Sequence, residues 1–195
     1  EKSGFAAISG ALDCVRTQWY AWQGTYSSIF FMTLMPAIWG EQYYFLGPVF
    51  ILLLLLTGTM LFTGTILRKV LQLDRWDSLA IQAVIAAAVF MFIYSAQSGF
   101  YWYNGGIHYV GMHGFAMLLL ASLICLSEWK KGRIRKGLLI AASMILALIV
   151  AGSNYVTALQ TFLVFLTIIV AGALLHRNIK GLLRLVPAFC VYSIG

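Results

Sequence analysis

Of the chain's 195 residues, 62% are hydrophobic and 10% charged, against roughly a quarter charged in an ordinary water-soluble domain. With a mean hydropathy of +0.89, this composition excludes a soluble globular fold and indicates an all-α protein whose helices cross a bilayer several times. The net charge of +7 is spread over short loops and not gathered on one face, which excludes nucleic acid as a partner and leaves membrane lipids.

Taken in order, residues 1–24 hold Glu1, Lys2, Asp13 and Arg16 and read as a polar outer segment. The run "TYSSIFFMTLMPAIW", Thr25 to Trp39, is apolar but interrupted by Pro36, and it falls short of the roughly 20 residues a crossing needs. It is expected to lie as a helix in the outer interface, broken from what precedes by Gly24 and capped by Thr25 or Ser27. Residues 1–43 thus form an outer unit and 44–195 a transmembrane bundle. Five complete spans are expected, at about 44–67, 78–96, 107–126, 138–153 and 157–175, with a sixth beginning near 183 and cut short. The chain starts at Glu1 and stops at Gly195 inside an apolar run, so it reads as a piece of a longer protein.

Basic residues orient these spans. All of the 13 Lys and Arg except Lys2 and Arg16 fall in the alternate loops 68–77, 127–137 and 176–184, which the positive-inside rule makes cytoplasmic. The aromatic residues are uneven too. Trp19, Trp22, Trp39, Trp102 and nearly all ten Tyr lie toward the outer end, whereas Trp76 and Trp129 face the cytoplasm. An interfacial belt occupies both sides. The excess outside suggests a surface of rings and hydroxyls suited to a sugar or a lipid-linked sugar.

The densest run of that composition is "QSGFYWYNGGIHY", residues 97–109. Tyr101, Trp102, Asn104 and His108 are its candidate ligand contacts, expected to share one outer cavity with Trp19 and Trp22. Asn104, Gly105 and Gly106 are expected to make a tight turn at positive φ. His108 and His113 are five apart, about 140° around a helix, which does not suit a shared metal, and no metal site is expected. The five spans contain no Asp, Glu, Lys or Arg, which argues against an ion-coupled transporter. Gln82 and Gln160 are expected to bond between helices. The three cysteines cannot build a disulfide framework.

The order of outer polar segment, short interfacial helix, long span and basic loop in "WYAWQGTYSSIFFMTLMPAIWGEQYYFLGPVFILLLLLTGTMLFTGTILRKV" resembles the start of a C-type glycosyltransferase. More narrowly, "YAWQGTYSS", "SGFYWYNGGIHY" and "AGSNYVTALQTF" resemble bacterial families of polytopic membrane proteins grouped with those enzymes. The resemblance implies a C-type transmembrane bundle that transfers a sugar from a polyprenyl-phosphate donor on the outer face of the cytoplasmic membrane. It implies a catalytic carboxylate in the first outer loop, expected upstream of Glu1. Asp13 and Glu41 are the candidates within the chain, Arg16 or Lys2 could meet the donor phosphate, and a divalent cation is compatible with the chemistry. The alternatives are a non-catalytic membrane subunit and an envelope lipid or polysaccharide exporter.

Overall fold

The structure, a computed structural model, describes residues 4–127, 132–176 and 179–195, and every regular element among the described residues is helical. Glu1, Lys2, Trp129, Lys130, Lys131 and Arg177, named above, lie outside the described residues.

The expected polar outer segment is largely a helix, α1 (Gly4–Ala21). Its apolar residues Phe5, Ile8, Leu12 and Trp19 recur on one stripe and are exposed, while Ala11 on an adjoining face is buried. An exposed apolar stripe beside Asp13, Arg16 and Thr17 is what a helix lying in a membrane interface presents. Helix α1 packs along α2 (Tyr26–Thr33). Far from floating on the interface, α2 buries Ser27, Ser28 and Ile29, and the amides of Ser27 and Ser28 both donate to the Gly152 carbonyl, at 2.9 and 3.3 Å. Two 3-10 turns follow, Pro36–Trp39 and Glu41–Tyr43, joined at Gly40. Its φ of 150° is costly for any residue with a Cβ.

Helix α3 (Leu46–Thr65) runs on through a π-helical turn, Ile66–Val70, and Asp74 caps α4 (Arg75–Met91) by accepting from the amides of Trp76 and Asp77. A π-helical turn at Gln97–Tyr101, the single turn α5 (Tyr103–Gly105), a π-helical stretch at Gly106–Gly111 and α6 (Met112–Ser127) carry the chain back. Then come α7 (Arg133–Ala151), α8 (Tyr155–Ala171) with a π-helical turn at Gly172–His176, α9 (Ile179–Leu183) and α10 (Val186–Ile194).

Among the described residues four stretches are long and apolar enough to cross a membrane: Glu41–Val70, Tyr103–Ser127, Arg133–Ala151 and Tyr155–Leu174. Four of the five expected spans meet that measure; the fifth, 78–96, falls on α4, whose 17 residues end at Met91, at the lower limit of roughly 17–25 for a crossing. Hydropathy stays high through Tyr94, but the backbone leaves the helix at Phe92 and re-enters a wider turn at Gln97.

Helix α6 is the axis of the packing. One cluster joins its Leu119, Leu123 and Leu126 to Val150 of α7, Phe165 of α8 and Tyr192 of α10. A second joins Met112 and Ile107 to Ile51 of α3 and to Phe100 and Tyr103. Helices α3 and α6 cross in backbone contact: a Cβ on Gly58 would lie 2.6 Å from the Gly114 carbonyl oxygen, and one on Gly114 would lie 2.9 Å from the Leu54 carbonyl. Small residues at such a crossing let dispersion contacts replace the hydrophobic drive that lipid cannot supply. Ser122 of α6 and Ser143 of α7 add a bond of 2.9 Å.

Candidate functional site

Polar groups collect at the end of the bundle that carries Trp102. Here the start of α2, the π-helical stretch before α6 and the turn between α7 and α8 meet. The turn is held by Asn154, which caps α8: its Oδ1 accepts from the Thr157 amide at 2.9 Å. Its Nδ2 donates to the His108 carbonyl at 2.6 Å and to Thr157 Oγ1 at 3.0 Å. Asn154 therefore ties α8 to the segment leading into α6. Two residues earlier, Gly152 supplies the carbonyl that anchors α2 and lies flat against the Tyr26 ring, leaving no room for a side chain. The Tyr26 hydroxyl donates to the Leu148 carbonyl at 2.7 Å. Desolvation by burial raises its pKa above the ordinary phenol value, and hydrogen bonds with backbone Gly152 and Ser27 partly offset this, so it stays a donor.

The result is a buried seam of Thr25, Ser27, Ser28, His108, Ser153, Asn154 and Thr157. Most of its groups are paired. Thr25 Oγ1, Ser28 Oγ and His108 Nδ1 are buried and have no hydrogen-bond partner among the described residues. Such groups cost roughly 1–3 kcal/mol each where nothing polar reaches them, so each calls for a polar partner such as bound water. His108 also meets the Tyr109 ring edge-on, with centroids 4.7 Å apart.

Around the seam stand the rings. The Tyr103 hydroxyl donates to the Phe31 carbonyl at 3.0 Å, and its ring lies over Gly47, where a Cβ would be 2.6 Å away. Tyr44 donates to the Tyr101 carbonyl. Tyr101, Trp102 and Asn104 are exposed. The expected turn at Asn104–Gly106 is instead helical: Gly105 and Gly106 have φ of −68° and −58°. Their purpose is close packing. Gly105 lies beneath the Trp102 indole, and a Cβ on Gly106 would be 2.7 Å from the Gly99 carbonyl oxygen.

The remaining predicted residues do not converge on one cavity. Trp19 lines an apolar groove of ≈ 360 Å³ with Tyr26, Leu148 and Ile194, and Tyr101, Trp102, Asn104 and His108 do not line it. Its ring is 6.3 Å from that of Tyr26. Trp22 is exposed nearby. Asp13 and Arg16 are exposed on α1, and Glu41 is exposed in its 3-10 turn. His108, expected to face ligand from a loop, is buried with its carbonyl held by Asn154. Gln160 is exposed, and Gln82 bonds within its own helix, to Ser78, where a bond between helices was expected for both. Sequence reasoning missed Asn154, although Asn three residues before Thr157 at the start of an apolar run is an N-cap signal.

Among the described residues the fold is all-helical, with four helices long and apolar enough to cross a membrane and one polar, ring-flanked end. No family model, curated protein or solved structure matches the chain.

Proposed function

We propose that the chain is the membrane bundle of a C-type glycosyltransferase-like protein of the bacterial cytoplasmic membrane, acting on a polyprenyl-phosphate sugar at the outer face. The loops that begin at Arg68, Ser127 and His176 are cytoplasmic in this reading. One observation carries it: a hydroxyl- and amide-rich seam with three unpartnered buried groups, Thr25 Oγ1, Ser28 Oγ and His108 Nδ1, lies at the end where Trp19, Trp22, Tyr101 and Trp102 are exposed. Rings suit the C–H faces of a sugar, and the seam suits its hydroxyls. In the transfer step a carboxylate takes the acceptor's proton, the acceptor oxygen bonds to the anomeric carbon, and the polyprenyl phosphate leaves with the electron pair of the broken C–O bond.

A second reading follows from Asp13 and Glu41. Both are exposed, and neither belongs to the seam. A chain whose own acids stand apart from its polar site serves equally as a non-catalytic membrane subunit that holds the lipid-linked sugar for a partner's carboxylate.

The full chain in proteoliposomes, given a polyprenyl-phosphate hexose radiolabelled in the sugar, separates these. Saturable binding that His108→Ala lowers about tenfold, with label released to water or an added acceptor, supports the enzyme. Saturable binding without release supports the subunit. Donor uptake no different from protein-free vesicles overturns both.

A further inference from the structure

A cleft opens at the other end of the bundle, between α3 and α4, and the sugar chemistry does not involve it. It has a volume of ≈ 650 Å³, within the range of small-ligand sites. Its rim carries Arg68 and Lys69, delivered by the π-helical turn that ends α3, and Arg75, delivered by the first turn of α4. All three are exposed, and none forms an ion pair or hydrogen bond among the described residues; Arg75 lies over the Trp76 ring, 5.8 Å from its centroid. The nearby acids do not cancel them within the cleft. Asp74 is engaged as the cap of α4, at 2.8 and 2.9 Å from the amides of Trp76 and Asp77, and neither Asp74 nor Asp77 lines the cleft.

The floor is polar and fixed. Ser78 is fully buried and Gln82 nearly so, with Gln82 Nε2 donating to the Ser78 carbonyl at 3.0 Å and to Ser78 Oγ at 2.9 Å. Gln82 reaches this position because Gly64 opposite has no side chain: a Cβ there would lie 2.8 Å from Gln82 Oε1. The wall is apolar. Leu61 and Leu79 line the cleft and are themselves exposed, on α3 and α4. Cations at the rim, a hydrogen-bonding floor and an apolar flank running along a membrane-crossing helix form one surface that fits a phosphate joined to hydrocarbon.

We propose that this cleft binds the phosphate headgroup of an anionic membrane lipid, with Arg68, Lys69 and Arg75 as its cationic contacts and Leu61 and Leu79 against the first carbons of the chains. A soluble phosphate would use the rim but gain nothing from the apolar wall. The site is independent of the outer surface, so its failure and that of the sugar reading are separately visible.

The test uses the full chain in phosphatidylcholine nanodiscs with trace spin-labelled phosphatidic acid. Wild type should immobilise phosphatidic acid over a matched spin-labelled phosphatidylcholine. Joint replacement Arg68→Gln, Lys69→Gln and Arg75→Gln should lower that preference by about tenfold or more, since a basic residue at the surface typically contributes about fivefold. The matched change Arg133→Gln, Arg135→Gln and Lys136→Gln on α7 removes the same charge and should lower it much less. Equal losses from the two sets mean diffuse attraction and overturn the site. Millimolar inorganic phosphate that displaces the spin label assigns the rim to soluble phosphates and overturns the lipid. If the triple variant does not fold, Leu61→Trp decides, because it fills the apolar mouth and keeps every charge. A preference unchanged by Leu61→Trp also overturns the proposal.

Discussion

At the end of the bundle that carries Trp102, polar side chains are sunk into the packing and tied to backbone: Asn154 to the His108 carbonyl, Tyr26 to that of Leu148, Tyr103 to that of Phe31. At the end that carries Arg68, the charged groups stand around an open cleft with a fixed polar floor. In a low-dielectric interior an unpaired polar group is expensive, so buried polarity specifies one arrangement of the segments it joins. Cations at a headgroup boundary stay hydrated and remain available. The contrast is not a simple matter of acid or base content, since Arg184 belongs to the basic set and yet donates to the Leu126 carbonyl at 3.2 Å, closing a helix end. The first end is therefore expected to be sensitive in stability and the second in binding.

The largest expected effect removes the comparison altogether. Gly114→Leu would drive a side chain into the Leu54 backbone, 2.9 Å from where a Cβ would stand. Backbone cannot step aside as a side-chain tip can. A loss of about 3 kcal/mol is expected for such overpacking, with both ends failing together in one thermal transition in detergent. Two separate transitions would show that α3 and α6 are not a shared axis.

Next is Asn154→Ala. It removes an N-cap, worth about 1 kcal/mol, and strands the His108 carbonyl, for a total near 2 kcal/mol given the modest worth of bonds between membrane helices. Thermal stability should fall while lipid retention at the Arg68 cleft is unchanged. Arg68→Gln should do the reverse, with a stability change within about 0.5 kcal/mol. If Arg68→Gln proves the more destabilising, the assignment of stability to one end and binding to the other is wrong.

That pairing of roles was only half legible in the sequence. Apolar runs of about 20 residues and the clustering of Arg68, Lys69 and Arg75 follow from composition, so the long helices and the basic rim were readable. Helix α1 was not, because Asp13, Arg16 and Thr17 break its hydropathy while Phe5, Ile8 and Leu12 keep its period. Nor was the end of α4, where Phe92 and Tyr94 extend the apolar run past the last helical residue. Asn104, Gly105 and Gly106 look like a turn in any local reading. What makes them helical is close packing that residue types alone do not reveal: Gly105 under Trp102, Gly106 against Gly99, and, across the bundle, Gly106 against Ile51, whose Cδ1 would lie 2.9 Å from a Cβ there. His108 could not be placed from its neighbours, since the side chain that holds its carbonyl, Asn154, lies 46 residues away.

Tyr26→Phe is a smaller probe of the same end. It deletes one bond, the 2.7 Å contact to Leu148, and leaves that carbonyl with the Gly152 amide and the Ser27 hydroxyl, each at 3.4 Å, so no more than about 1 kcal/mol is expected by thermal unfolding. Because the ring stays, the groove it lines with Trp19 keeps its shape. A loss as large as that of Asn154→Ala would mean the hydroxyl, and not the cap, holds the seam.

The smallest effects on stability should come from two tryptophans, one at each end, and they discriminate most finely. Trp102 is 61% exposed and covers Gly105; Trp76 is 76% exposed and carries the Arg75 guanidinium over its ring. Trp129 lies outside the described residues, so Trp76 is the natural counterpart. Each change to Ala should cost under about 1 kcal/mol of stability, because little packing is lost from a ring mostly exposed. Their binding effects should separate. If Trp102 stacks on a sugar, its loss removes about 0.5–1.5 kcal/mol beyond buried area, a two- to tenfold weakening for a polyprenyl-phosphate hexose, with no change in phosphatidic acid retention. Trp76→Ala frees Arg75 from its ring and should alter phosphatidic acid retention by no more than about twofold, with no change in sugar binding. Equal, small effects of both changes on both ligands would reduce the two tryptophans to interfacial anchors, and the rings at the Trp102 end would then explain where the helix sits and nothing about what it holds.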